Sequence, residues 1–184
     1  MTRQQVIDTA VGCVERDGAD ALRVSRVAAA LGIKPPSLYN HIGKGDALAL
    51  AVAIEGNRQM VTVMKGAARG IIDPHAQLMA MALAGHGWAT THDGLYTVMN
   101  RVPPENDHPD FAPVLQDLID LFHRPLLRIG VSSGGVIHAI RAFRAAMHGF
   151  IILENAGQFA LEQDPQESYQ RLMRWLLHGM SSPS

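Results

Sequence analysis

Between Ser25 and Leu48 the chain reads SRVAAALGIKPPSLYNHIGKGDAL, two short helix signals on either side of a glycine. A second helix this short buries little surface of its own. Fixed at a corner against the first, it is better suited to presenting side chains outward, as the second helix of a helix-turn-helix does in the DNA major groove.

The rest of the pattern is helical throughout, with no alternating β-branched runs bounded by hairpin turns. A first helix is expected over Arg3 to Arg16, with Val6, Ile7, Ala10, Val11 and Val14 on one face and Asp17-Gly18 as its stop. A second is expected from Ser25, read as its N-cap, to Leu31, with Val27, Ala28 and Leu31 inward. Gly32 supplies the left-handed turn. The third begins at Pro35-Pro36, where proline loses no intrahelical N–H, and turns Leu38 and Ile42 inward. A fourth runs from Asp46 to about Lys65. Longer helices follow at about 74–90, 92–101, 110–130, 135–158 and 165–179, separated by the proline-rich 103–109 loop and the Ser132-Ser133-Gly134-Gly135 break. The expected fold is all-α: a helix-turn-helix unit at 1–45 and a larger helical domain at 46–184, with the helix at 46–65 as connector.

The chain has 184 residues, 47% of them hydrophobic and 18% charged, which is a globular and not a disordered composition. A single cysteine, Cys13, excludes an internal disulfide, and its place near the apolar stripe of the first helix makes it a buried thiol. The first residues show no apolar leader, and uninterrupted apolar runs such as 150–153 are too short to span a bilayer, so a cytoplasmic location is expected and no membrane partner. Net charge is −1. Within residues 1–45, Arg3, Arg16, Arg23, Arg26, Lys34 and Lys44 outnumber Asp8, Glu15, Asp17 and Asp20, a local excess of +2. That balance suits DNA contact by the N-terminal part alone and excludes a protein that coats DNA.

The segment 4–48 resembles the TetR family of transcriptional regulators without a gap. Gly18 closes the first helix, Val27-Ala28 is the apolar-Ala pair of the second, and Gly32-Ile33 is the turn. Leu38-Tyr39 and His41-Ile42 match the family's Leu-Tyr and His-Phe pairs, and Asp46, Ala47 and Leu48 match its acidic-Ala-Leu helix start. The segment from Arg141 to Glu154, RAFRAAMHGFIILE, resembles the WHG type of TetR C-terminal domain, with Phe143 where tryptophan is common. The chain departs from the family at Lys34, where a capping serine is frequent, at Gly45, where a phosphate-contacting lysine is frequent, and at Ile42 in place of phenylalanine.

The third helix offers its N-terminus to phosphates, reinforced by Lys34. Ser37 and Asn40 are placed for base edges, and Pro35 and Pro36 for thymine methyls. Arg26 reads either as a phosphate or guanine contact or as a solvated helix charge. The resemblance implies phosphate contacts for Tyr39 and His41, which set register without reading sequence. Read without it, Tyr39 plugs the edge of the small core and His41 is an ordinary surface residue. Ser25 and Lys44, the latter beside Gly45, complete the expected DNA-contacting set.

In the second half, His86, Trp88, Tyr96, Met99, Phe143, Met147 and His148 read either as the lining of a pocket for an apolar ligand with a few polar groups or as plain core. Gly149 reads as a point of close helix approach at a dimer interface. Ile137, Ile140, Ile151, Ile152, Leu172 and Leu176 are spread too evenly for one exposed face, so the last two long helices are expected to pair with those of a second copy. Glu105-x-x-His108 and Asp120-x-x-His123 imitate a di-iron element, but the first lies between prolines and the second lacks its partner glutamates, so no metal and no cofactor is expected. No Ser-His-Asp set, glycine-rich phosphate loop or CxxC points to an enzyme.

The resemblance therefore implies a ligand-responsive regulator, a homodimeric repressor reading a palindromic operator and released by a small molecule. The alternatives are a helical adaptor or ligand-binding protein that has lost DNA binding, and a metal-binding helical-bundle enzyme.

Overall fold

The computed structural model describes residues 1–103 and 108–181, so the Glu105-x-x-His108 spacing lies outside the described residues. Among them the chain forms α1 (Arg3–Asp17), α2 (Val24–Ala30), α3 (Pro35–Ile42), α4 (Ala47–Ala68), α5 (Pro74–Thr91), α6 (Asp93–Arg101), α7 (Ala112–Arg128), α8 (Val136–Asn155) and α9 (Pro165–Met180), with no strand. The starts of α1 and α9 follow local capping chemistry. Thr2 caps α1 by accepting from the Gln5 N–H at 3.2 Å, and the Gln5 side chain accepts from the Thr2 N–H at 2.8 Å. Asp164 caps α9 ahead of Pro165.

The N-terminus of α2 differs from the sequence reading. Arg23 is the N-cap, without a side-chain bond, and Ser25 is already the second helical residue. Arg23 follows a short 3-10 turn, Ala19–Ala21, that brings the chain to the helix two residues earlier than a cap at Ser25 would. The exit from α2 is a Schellman turn: the Ile33 N–H donates to the Ala28 carbonyl at 3.0 Å and the Gly32 N–H to Ala29 at 3.1 Å, with Gly32 at φ 67°. This turn sets the corner between α2 and α3.

The chain divides into two compact units that interleave along the sequence. One comprises residues 1–59 and 91–114, the other 60–90 and 115–181 among those described. In the first, Val6, Ala10 and Val14 of α1 meet Val27 and Ala28 of α2 and Leu38 of α3 in a fully buried core, with Cys13 buried beside them. Helix α6 also packs on α1 within this unit, although it lies far beyond the helix-turn-helix in sequence. Side-chain contacts hold both of its ends: His92 Nδ1 lies 2.7 Å from Glu15, and Arg101 forms an ion pair with Asp20 at 2.7 Å.

The second unit is built around Leu78, Met81, Leu126, Phe143, Ile151, Tyr169 and Met173, all buried. Phe122 and Phe143 meet edge to face at 4.8 Å. The Tyr169 hydroxyl donates to the Ala82 carbonyl at 3.0 Å, tying α9 to α5. Tyr169→Phe leaves that buried carbonyl without this donor, so a loss of about 1 kcal/mol is expected, read as a lower midpoint at unchanged slope in urea unfolding.

Helix α8 lies in an apolar stretch longer than the uninterrupted runs suggest. The stretch Ser133–Asn155 is, by length and composition, long and apolar enough to cross a membrane. Uninterrupted runs miss it because Arg141 and Arg144 punctuate it. Its apolar residues divide between two faces: Val136, Ala139, Phe143, Met147 and Ile151 are buried within the unit, while Ile137, Ile152 and Leu153 are exposed.

Candidate nucleic-acid interface

Helix α3 carries Leu38 and Ile42 into the core of the first unit and leaves Pro35, Pro36, Ser37, Tyr39 and Asn40 exposed, with His41 half-buried. At about 100° per residue, Asn40 lies opposite Leu38 and Ile42. Pro36 and Ser37 flank it on the outward face, and Tyr39 and His41 project to opposite sides. Two buried residues thus place three side chains outward between two polar flanks.

Both ends of the helix are cationic and open. Lys34 is the N-cap and makes no side-chain cap bond, so its ammonium stays exposed beside the first-turn N–H groups. The helix stops at Gly43, φ 90°, and Lys44 is exposed between it and Gly45, φ 64°. The left-handed backbone at Gly45 accounts for the departure there: a lysine at that position would be strained, so Lys44 is the cation this turn supplies. No acidic side chain occurs between Lys34 and Gly45.

On α2, Ser25 and Arg26 are both exposed. Arg26 is not a free charge: its guanidinium lies 2.9 Å from Asp17, whose carboxylate also lies 3.4 Å from Arg16.

The residues expected to line a pocket fall in both compact units. Tyr96 and Met99 are buried in the first unit, and His86, Trp88, Phe143 and Met147 in the second. Around His86 the structure assembles a group the sequence reading did not join. His86 Nε2 lies 2.5 Å from the Glu154 carboxylate, its ring stacks on Tyr169 at 4.3 Å, and Phe150 approaches edge-on at 6.1 Å. His86 and Glu154 are 68 residues apart, and only the Leu-Glu ending of the WHG-like segment marked Glu154 at all. Met147 packs toward Gly85, where an added Cβ would lie 3.2 Å from its sulfur.

His148 is half-buried, and burial first, then the nearby Arg144 charge, holds its imidazole below the ordinary histidine range. The folded chain therefore favours neutral His148, while the unfolded chain takes up the proton first as pH falls. Its contribution is present above about pH 6.5 and is lost as pH drops below that. The melting temperature is expected to fall between pH 7.5 and 5.5, and to fall less in His148→Gln. Gly149, next to it, has no neighbour within 4 Å of an added Cβ, so packing inside this chain does not demand glycine there. In the other metal-like spacing, the Asp120 carboxylate accepts from Gln116 at 2.7 Å.

Residues 78–176 match the family model of the tetracyclin repressor-like C-terminal domain. The chain is 29% identical over 157 residues to the HTH-type transcriptional regulator Rv0681 of Mycobacterium tuberculosis, covering 85% of this chain and 72% of that one. Its fold resembles a TetR variant from Acinetobacter baumannii solved with minocycline (TM-score 0.75, 20% identity, 97% and 96% of the two chains). It also resembles BioQ solved with its double-stranded DNA operator (TM-score 0.70, 20% identity, 97% and 99% of the two chains).

Proposed function

The chain belongs to the TetR family of transcriptional regulators, and we propose that it acts in the cytoplasm as a homodimeric repressor that reads a palindromic operator with α3 and is released by a small molecule. We assign it no catalytic step. The observation that carries the reading is the outward face of α3, with Pro36, Ser37 and Asn40 between Tyr39 and His41 and a lysine at either end. One such helix spans too few base pairs for useful specificity, whereas two copies about a twofold axis read two half-sites. Ser25, Pro35 and Arg26 lie at the margin of this interface, with Arg26 paired to Asp17. Residues 1–45 form the DNA-binding part in this reading, and 46–184 the sensing and pairing part.

Dimerisation is supported by the outer faces of α8 and α9. Ile137, Ile152 and Leu153 are exposed on α8, and Trp175 on α9 is 69% exposed. Beside Trp175 the two helices form a groove of about 430 Å³ lined by Ala139, Ala142 and Leu176 among others. A monomer gains nothing from so much exposed apolar surface, whereas a partner would cover it. For the effector, the His86–Glu154 pair against Tyr169 offers a polar anchor in an aromatic wall, with Trp88, Phe143, Met147 and His148 on the same unit.

The test is fluorescence-anisotropy titration with duplexes from the region upstream of the protein's own gene, over 50 to 200 mM salt. Saturable binding that weakens steeply with salt, and that Tyr39→Ala reduces at least about tenfold, supports the reading. Binding unaffected by Tyr39→Ala, or absent on every upstream duplex, counts against it.

A further inference from the structure

Resting on the reading of α3 as the DNA-contacting helix, we propose that each half-site presents A·T base pairs, and not G·C pairs, to the outward face of α3. The four bases show different edges in the major groove. Guanine is read by arginine or lysine at O6 and N7, cytosine by a carboxylate at N4, adenine by asparagine or glutamine at N6 and N7, and thymine by apolar contact with its methyl group. From Pro35 to Ile42 there is no arginine, lysine, aspartate or glutamate. The outward positions are Pro36, Ser37 and Asn40, all exposed. Asn40, opposite the buried Leu38 and Ile42, is the amide that reads adenine. Pro36, within about 40° of it around the helix, is the apolar surface that meets a thymine methyl. Ser37 accepts or donates and excludes neither pair.

The cations nearby do not supply a guanine reader on this face. Lys34 and Lys44 lie beyond the two ends of the helix, where the backbone phosphates of the groove walls would be. The Arg26 guanidinium belongs to α2 and is held 2.9 Å from Asp17. Charge therefore brackets the reading face without entering it. Affinity comes from phosphates at the ends, and base preference from one amide and one proline ring.

The experiment selects duplexes from a 30-base-pair random library with the full-length protein, then substitutes single bases in the enriched sequence. Enrichment of twofold-related A·T pairs is expected. Replacing thymine with uracil removes only the methyl group and should cost about fourfold at one position per half-site, a loss absent in Pro36→Ala. Replacing adenine with 7-deazaadenine removes N7 alone and should cost at least about fivefold at one position, a loss absent in Asn40→Ala. Enriched half-sites in which the substitution-sensitive pairs are G·C, or enriched A·T sites indifferent to both analogues, overturn this inference and leave the DNA-binding reading standing. A library from which no duplex is enriched overturns both.

Discussion

Trp175→Asp is expected to convert the proposed dimer to a monomer in the micromolar range. Trp175 lies on α9 with 69% of its surface exposed, next to half-buried Leu172 and Leu176 and lining a groove with Ala139 and Ala142 of α8. A tryptophan carries about 150–250 Å² of surface to bury. Truncating a central aromatic anchor typically costs about 2 kcal/mol or more, and a twofold interface contains the residue twice. Some 4 kcal/mol corresponds to about a thousandfold rise in the dimer dissociation constant. Aspartate adds two like charges across the axis. Sedimentation equilibrium over 0.5–50 µM reads the mass directly, and circular dichroism should show the helices intact, because Trp175 contributes little to the protomer's own core. An unchanged mass would place the pairing surface elsewhere. DNA affinity should fall with the dimer, since each half-site would then be bound alone.

Gly94→Val is expected to destabilise the first unit strongly. An added Cβ at Gly94 would lie 2.7 Å from the Val14 carbonyl oxygen and 3.3 Å from the Gly18 Cα. Both are backbone atoms of the α1 end, which cannot swing aside as a side-chain tip can. Helix α6 must then retreat from α1, loosening the Glu15–His92 and Asp20–Arg101 pairs at its two ends. Overpacking of this kind costs about 1–3 kcal/mol, and in a chain of this size each kcal/mol lowers the melting temperature by about 2–4 °C. A drop of about 5–10 °C is expected in differential scanning calorimetry. Gly87→Ala on α5 is the control: nothing lies within 4 Å of its Cβ, and alanine favours the helix, so stability should hold or rise slightly. Equal losses at both positions would mean that the close approach to α1 has no special weight.

The two changes also separate what was legible in the chain from what was not. Capping and turn chemistry acts over three or four residues, so the boundaries of α3 follow directly from Pro35, Pro36 and Gly43, and its inward pair from the spacing of Leu38 and Ile42. The N-cap of α2 was displaced from Ser25 to Arg23 because the 3-10 turn before it is not marked by any single residue. The exposed Trp175 needed the structure as well: at helical spacing a tryptophan among leucines reads as core, and only the packing of α9 on α8 shows which way it points.

The division of the expected pocket residues between the two units has the same origin. His86, Trp88, Tyr96 and Met99 are close in sequence, but they straddle the change from one compact unit to the other at residue 91. His86 instead meets Glu154 and Tyr169, brought to it by α8 and α9. Arg26 similarly meets Asp17 across the α1–α2 corner.

By itself the sequence determined the helices, the corner at Gly32, the outward face of α3 and the family resemblance, because hydrogen bonds between near neighbours and the period of the helix are written in consecutive residues. Tertiary structure alone decided that α6 packs on α1 through Gly94, that His86 pairs with Glu154, and that Trp175 faces outward. Those outcomes depend on contacts between residues tens of positions apart, whose geometry is set by how whole helices pack and not by the residues between them.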